Sequence, residues 1–373
     1  DKIKGKQSSE IESILGYLDT LNKENLFEYY PATKGLTEQG KNINLGFSCY
    51  ALKCMHILDN TSLLTQNNKK EWGRYINNYQ KKTQRFANFS YIDENYLSSY
   101  DTTDTGKLIK DNIKKIINLL EPNRHDTLDK KLVNSIRAES KQAISTLSEI
   151  GQSSENKYLE FPYEGSNLNN FLQSLNWSKP WASGAQFASL CVFAKTQLLD
   201  LQFKDTQKIF SDFTSTIANP ETGAYYKGIT PSNQELINGS MKIISGLDWI
   251  DHPIHFPEKL IDLSLSVNPE TEGCDLVDIV YVLYKCSQQS THRKKEIDLF
   301  FSDMYSKIFR HFKSDDGGFS YFTRKSQTYY YGVKITEGLN TADIHGTTLL
   351  LWALSMIFTF KEDDSIKLNI IKP

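Results

Sequence analysis

The chain has 373 residues, of which 39% are hydrophobic and 12% aromatic, so it holds enough apolar material for a large core and a lined cavity. Disorder of the whole chain is therefore excluded. Its 43 lysines and arginines nearly balance 45 aspartates and glutamates, which gives a formal net charge of −2. Because no stretch concentrates the basic residues, we expect no nucleic-acid partner.

The cysteines and the apolar segments indicate the cellular location of the protein. Five scattered cysteines include no Cys-x-x-Cys pair, so they indicate neither a disulfide framework nor a thiolate zinc site, and we predict a cytoplasmic protein. The most apolar segment, residues 347–360, is shorter than the roughly 20 residues that a bilayer-spanning helix needs. No transmembrane segment is predicted.

Apolar residues recur with a helical period from end to end, and alternating, strand-like runs are nearly absent. Helix start signals include Thr127 before one helix, Pro257 at the start of another and Asp343 in the first turn of the last. The predicted helices cover residues 9–22, 45–58, 69–85, 105–120, 128–150, 167–175, 183–199, 205–216, 234–246, 257–267, 275–286, 292–312 and 343–360.

Two loop-plus-helix units read as copies of one another. In the first, a turn around Gly223 is followed 16 residues later by Gly239; in the second, Gly318 is followed 28 residues later by Gly346. The second copy therefore carries 12 extra residues, a segment that includes three adjacent tyrosines (329–331). A helical hairpin of about 50 residues cannot bury both of its faces, and closing about six of them into a ring solves that problem. We predict an all-α fold, an (α/α)6 toroid of about twelve helices around a central cavity, as one domain over residues 1–373.

The second copy carries a family resemblance. Its turn Asp316-Gly317-Gly318-Phe319 and its helix start Asp343-Ile344-His345-Gly346-Thr347-Thr348 resemble the repeat of the terpenoid-cyclase and protein-prenyltransferase β-subunit superfamily. The resemblance covers mainly residues 219–360. It implies an α/α toroid and says little about activity, because one fold hosts many chemistries.

The family's catalytic strings are altered here. The resemblance implies a proton-donating Asp, as in class II terpene cyclases, at the position that His345 occupies. It also implies a zinc site like that of the prenyltransferases, whose ligands come from an Asp-x-Cys string and a histidine at the start of the equivalent helix. Here His345 lies one position before the place of that histidine, and Asp278 is followed by Ile279-Val280, so the cysteine ligand is missing. No metal and no cofactor is therefore predicted. A mixed zinc site made of Cys274, Asp275, Asp278 and His345 is a weaker alternative.

We expect the site on the rim of the cavity, where the inner helices begin. A helix N-terminus favours a carboxylate and a neutral imidazole, and aromatic rings can stack on sugars or stabilise cations. The predicted catalytic residues are His345, Asp343, Asp278 and Tyr330. The predicted substrate-binding residues are Asn238, Trp181, Tyr226, Tyr329 and Tyr331.

Each of these residues also has a structural interpretation. Asp343 would cap the last helix, and His345 would be a buried, hydrogen-bonded histidine. Asn238 would be the cap of the helix that contains Gly239, and Trp181 would belong to the core.

Three functions stay open. The first is a cavity protein like the terpenoid cyclases and prenyltransferases, acting on an isoprenoid-type or other aromatic-stacked substrate. The second is a glycan-acting toroid such as a polysaccharide lyase, and the third is a non-catalytic binding scaffold. A deep, aromatic and apolar cavity would favour an isoprenoid substrate, whereas a groove lined by Arg, Lys, Asn and Tyr would favour a glycan. A filled centre would favour the scaffold. No dinucleotide fingerprint, P-loop, Gly-x-Ser-x-Gly or His-Glu-x-x-His string occurs, which disfavours nucleotide use and serine hydrolysis.

Overall fold

The computed structural model describes residues 2–58, 64–101, 105–120, 127–269 and 272–373. Within these ranges the chain is mostly helical, as predicted, with fifteen helices and six two-residue strands. The helices are α1 (Lys2–Leu21), α2 (Glu38–Asn42), α3 (Leu45–Ile57), α4 (Gln66–Asn77), α5 (Glu94–Asp101), α6 (Thr105–Leu120), α7 (Leu128–Glu149), α8 (Gly165–Ser174), α9 (Pro180–Gln197), α10 (Asp200–Ile217), α11 (Asn233–Trp249), α12 (Pro257–Leu265), α13 (Gly273–Ser287), α14 (Lys294–Phe309) and α15 (Ile344–Phe360). The strands pair antiparallel as β1 (Gln80–Lys81) with β2 (Ser90–Tyr91), β3 (Phe312–Lys313) with β4 (Gly318–Phe319), and β5 (Tyr329–Tyr330) with β6 (Val333–Lys334).

All thirteen predicted helices are present, with shifted ends. The helix predicted over 69–85 is α4, which ends at Asn77 because the chain then turns into the ribbon of β1 and β2. α9 begins three residues early, since Pro180 occupies its first position, where a missing N–H costs nothing. The short helices α2 and α5 were not predicted, because five and eight residues carry too little periodic pattern.

Six helices contact one another in a closed sequence, and we call them the inner helices. α3 packs on α7, α7 on α9, α9 on α11, α11 on α13, α13 on α15, and α15 packs back on α3. Their side chains surround one cavity. In α3 every residue except His56 is buried, whereas α7 buries only one face. Helices α10, α12 and α14 pack against them from the other side.

Two glycines permit the closest approaches. A Cβ atom on Gly239 would lie 2.5 Å from the Cβ atom of Pro180, so the contact between α11 and α9 requires glycine there. A Cβ atom on Gly346 would lie 2.5 Å from the carbonyl carbon of Ser320, in the chain that follows β4. Gly239 therefore lies where two helices approach closely, whereas Gly346 approaches a loop and not a helix.

The segment 366–373 lies across the carboxyl ends of three inner helices. The Asn369 N–H donates to the carbonyl of Ile57, the last residue of α3, at 2.8 Å. Trp249, the last residue of α11, donates its indole N–H to the Pro373 carbonyl at 2.7 Å. The Lys372 N–H donates to the carboxylate of Glu149, the last residue of α7. Because Ile371 and Pro373 also line the cavity, this segment covers one of its ends.

In the described part of the chain, no helix combines the length and the apolar character that crossing a bilayer demands.

The close approach at Gly346 generates a stability prediction. Gly346→Ala should lower the free energy of unfolding by about 1–3 kcal/mol, because the added methyl group meets backbone atoms that cannot move aside. The matched control is Gly16→Ala in α1, where a Cβ atom would have no neighbour within 4 Å. That change should stabilise the protein by about 0.5–1 kcal/mol through helix propensity. Urea unfolding measures both, and equal effects of the two changes would contradict the close packing.

Candidate functional site

The inner helices surround a cavity of about 440 Å³. Most of its wall is apolar or aromatic. Alanines at 138, 182, 185 and 188 line the side formed by α7 and α9, and Tyr50, Tyr321, Tyr331 and Trp352 contribute rings. The centre of the molecule is therefore not filled, and the wall offers an apolar body a place to bind.

Three lysines reach this apolar cavity from three helices: Lys53 from α3, Lys141 from α7 and Lys242 from α11. Among the described residues, none of the three forms an ion pair with a carboxylate; Lys53 donates to the Ser145 hydroxyl at 3.4 Å. Burial lowers the pKa of Lys53. Burial also holds the pKa of Lys141 well below its usual value, and repulsion from the charges of Lys242 and Lys53 adds to this effect. Among the described residues, any positive charge on these lysines is therefore not matched by an ion-paired carboxylate, although the charge of Glu149 raises the pKa of Lys53.

Asp278 lies on the cavity wall in the second turn of α13 and is buried. Burial raises the pKa of its carboxyl to about 7, although the charge of Lys242 acts in the opposite direction. Within the described residues its Oδ2 atom has no hydrogen-bond partner. Near neutral pH this group can therefore hold or release a proton.

His345 lies on the same wall, in the first turn of α15, and is half-buried. Its ring stacks against Tyr50 and Tyr321, with centroids 4.7 and 5.4 Å away. Nδ1 lies 3.0 Å from the side-chain oxygen of Gln327, so Nδ1 donates and Nε2 is left as an acceptor. Burial, and after it the charge of Lys242, lowers the pKa of His345 to about 3, which keeps the imidazole neutral.

Asp343, predicted as catalytic, is instead placed behind the wall. One carboxylate oxygen accepts from the Gly346 N–H at 2.7 Å and caps α15. The other accepts from the N–H groups of Tyr321 at 2.7 Å and Gln327 at 3.0 Å. Burial raises the pKa of Asp343 to about 6, while these bonds oppose the rise. These contacts match the structural interpretation, in which Asp343 caps α15.

The three adjacent tyrosines face different ways. Tyr330 is buried on the cavity wall and donates its hydroxyl to the carboxyl of Glu139 at 2.7 Å. Burial raises the pKa of that carboxyl to about 8. Tyr331 also lines the cavity, whereas Tyr329 is 53% exposed and lines a separate surface groove. Two of the three predicted tyrosines thus reach the cavity.

Besides Tyr329, two further predicted substrate-binding residues lie off the cavity wall. Asn238 sits in the second turn of α11 and donates to the carboxylate of Asp275 at 2.9 Å, which ties α11 to α13. It is not a cap either, since Ser232 caps α11. Tyr226 lies in the loop before α11, where its hydroxyl accepts from Asn219 at 3.1 Å. Trp181 does line the cavity, at the start of α9, and is 45% exposed.

The alternative zinc site is not assembled. Cys274, Asp278 and His345 all line the cavity, but Asp275 is engaged by Asn238. In the ranges that the structure describes, no group of three or more His, Cys, Asp or Glu side chains is arranged to hold a metal ion.

Comparison with protein-family models, with curated proteins and with solved structures found no match. The resemblance to the terpenoid-cyclase superfamily therefore remains a prediction from the sequence.

Sequence reasoning missed the three cavity lysines and Glu139. A signal for Lys53 was present, because it is a single charge inside the apolar run of α3. A charged residue in a helix that is otherwise buried all round needs a partner or a cavity.

His345 generates a pH prediction. In the unfolded chain its imidazole takes a proton near the usual pKa of about 6.5, whereas in the folded protein it does so only near 3. Between these values the unfolded state binds more protons, so this histidine makes stability fall as the pH falls. We expect His345→Phe, which keeps a ring against the tyrosines, to remove this contribution.

Urea unfolding from pH 4 to pH 7 measures the effect. The slopes of the wild type and of His345→Phe should differ by at most about 1.4 kcal/mol per pH unit, with the variant less sensitive to acid. Asp278 has a raised pKa and acts in the opposite sense, but it does so in both proteins. Parallel profiles would show that His345 titrates at its usual pKa.

Asp343 generates a second stability prediction. Asp343→Ala should cost about 2–5 kcal/mol, since it removes a helix cap and leaves two further N–H groups without an acceptor. Asp343→Asn keeps the shape and one acceptor oxygen, so it should cost less. Thermal melts compare the two, and a melting temperature unchanged in Asp343→Ala would contradict the capping role.

Proposed function

We propose that the protein is an α/α toroid whose central cavity binds an amphipathic anion, a molecule with an acidic head and an apolar, isoprenoid-type body. One observation carries the proposal: three lysines without carboxylate partners among the described residues share a cavity whose wall is otherwise mostly apolar and aromatic. The closed sequence of contacts from α3 through α15 and back to α3 supports the toroid.

The lysines of the cavity indicate that the head group of the ligand is an anion. An ammonium group in apolar surroundings is costly unless an opposite charge compensates it, and the lowered pKa values of Lys53 and Lys141 reflect that cost. An anionic head bound among the lysines would offset it. A phosphate, diphosphate or carboxylate suits this role, because lysine binds such groups as a point charge.

The apolar wall selects the body of the ligand. Alanines on α7 and α9 leave room for a chain, and the tyrosine and tryptophan rings offer flat surfaces. Within the superfamily that the sequence resembles, this combination favours the prenyltransferase side over the cyclases. Ammonium groups at these lysines would repel the carbocation that a terpene cyclase must stabilise.

The cavity also holds groups that can transfer protons. The Asp278 carboxyl, with a pKa of about 7, can donate a proton to a bound molecule. The neutral His345 can accept one at Nε2, so the net charge of the site stays unchanged. We therefore propose that the protein is an enzyme that uses Asp278 and His345 as an acid and base. A cytoplasmic location belongs to the same proposal.

A uronate-containing glycan is the second candidate. Trp181 is half-exposed at the start of α9 and could stack on a sugar ring, while the lysines could neutralise a uronate carboxylate. The predicted amide partner of that carboxylate, Asn238, is however engaged with Asp275. The scaffold interpretation is weakened because the centre is open.

Calorimetric titration tests the proposal with four probes: farnesyl diphosphate, farnesol, inorganic diphosphate and trigalacturonate. Farnesyl diphosphate should bind at least tenfold more tightly than farnesol or diphosphate, because only it supplies both the charge and the apolar body. Lys242→Gln should weaken its binding about tenfold or more, since a hydrogen bond to a charged group contributes about 1.5–3 kcal/mol. The matched control, Lys259→Gln on α12, lies outside the cavity and should bind like the wild type.

Three results would decide against the proposal. Preferential binding of trigalacturonate would favour the glycan candidate. Equal binding of farnesol and farnesyl diphosphate would remove the role of the lysines, and no binding of any probe would favour the scaffold.

A further inference from the structure

Helix α6 presents an apolar face to solvent. On a helical projection with 100° per residue, one arc of about 140° contains Thr105, the exposed Asn112 and five leucine and isoleucine side chains. The exposed fractions of these five are 48% for Leu108, 61% for Ile109, 52% for Ile113, 60% for Ile116 and 82% for Leu119. We call these five residues the α6 apolar face. Contiguous exposed apolar surface of this kind marks an interaction site or an aggregation hazard.

Lysines border the α6 apolar face on both sides. In the same projection Lys110 follows one edge of the arc and Lys115 precedes the other, each within about 60° of it. Beyond these edges, Lys107 and Lys114 line a surface groove together with Lys131 and Lys334. The surroundings of the apolar face are therefore cationic.

The acidic residue of α6 faces the protein. Asp111 is buried, accepts from the Leu128 N–H at 2.6 Å and pairs with Lys115 at 2.9 Å. This contact fixes the helix against the start of α7, so that the opposite side of α6 is the one turned to solvent. Asp111 is the only acidic residue of α6 and lies outside the apolar face, and together with Asp129 of α7 it pairs with the border residue Lys115.

We propose that α6 docks the protein on an anionic membrane surface. The apolar face enters the boundary between headgroups and acyl chains, and the bordering lysines contact the acidic headgroups. An amphipathic helix with one apolar side and lysines on the other is the arrangement that binds in the plane of such an interface. Each lysine near the surface adds attraction to anionic lipid.

Charge complementarity favours the membrane over a second copy of the chain. Two α6 helices packed face to face would bring the lysine borders of one against those of the other, and like charges at an interface oppose association. Anionic lipid presents the opposite charge on every side. The inference is independent of what the central cavity binds, because it rests on α6 and its borders.

Vesicle sedimentation tests the inference on the full chain. Vesicles of phosphatidylcholine and phosphatidylserine in a 3:1 ratio should sediment the protein, with binding that weakens as salt rises, and pure phosphatidylcholine should bind it at least tenfold less. Ile113→Glu should reduce binding to the mixed vesicles at least tenfold. The matched control is Ile229→Glu, which changes an isoleucine that is 84% exposed in a distant loop and should leave binding unchanged.

Two further measurements separate insertion of α6 from unfolding and from purely electrostatic adsorption. Circular dichroism melts of both glutamate variants should match the wild type, since the replaced side chains lie on the surface. The fluorescence of Ile113→Trp should shift to the blue on mixed vesicles, because the indole enters an apolar environment.

The inference would be overturned by binding that Ile113→Glu leaves intact, or by no binding of the wild type to mixed vesicles. A dimer in light scattering that Ile113→Glu converts to a monomer would overturn it too, because a second copy would then cover the apolar face.

Discussion

A single carboxylate organises the mouth of the cavity. Asp343 binds three backbone N–H groups that belong to two separate stretches of chain, the start of α15 and the segment of residues 321–327. This contact brings the Tyr321 ring against the His345 ring and the Gln327 side chain to its Nδ1 atom. The ring position and the tautomer of His345 depend on contacts that Asp343 holds in place, although that carboxylate does not line the cavity. Asp343 instead positions the groups that line the cavity.

Lys242 has a comparable influence on charge. It lowers the pKa of both Asp278 and His345. In Asp278 this opposes the effect of burial, which raises the pKa, whereas in His345 it adds to the effect of burial, which lowers the pKa. The result is a carboxyl that titrates near neutrality in the same cavity as an imidazole that stays neutral. Two titratable groups whose surroundings shift their pKa values in opposite directions are the pattern by which an environment assigns them different protonation states.

Periodicity and helix start signals predicted the helices and their approximate ends, because these depend on neighbours in sequence. They failed where long-range geometry decides. Lys53, Lys141 and Lys242 are far apart in sequence, and no local pattern indicates that they share a cavity. The assignment of Tyr226 assumed that its loop faces the cavity. All three adjacent tyrosines were predicted as site residues, but adjacent side chains cannot all point one way, and which of them points inward depends on the β5–β6 ribbon.

The covering of one cavity end by residues 366–373 has a kinetic consequence. The contacts with Ile57, Glu149 and Trp249 hold this segment across the carboxyl ends of the inner helices, whereas Trp181, which lines the cavity at the amino end of α9, is 45% exposed. A cavity entered from that end and covered at the other would be a blind chamber and not a tunnel. A polymer could enter only by its tip and could not be threaded through. Entry and exit would share one passage, so a bound molecule must leave before the next arrives, and occupancy would be limited by the slower of the two movements.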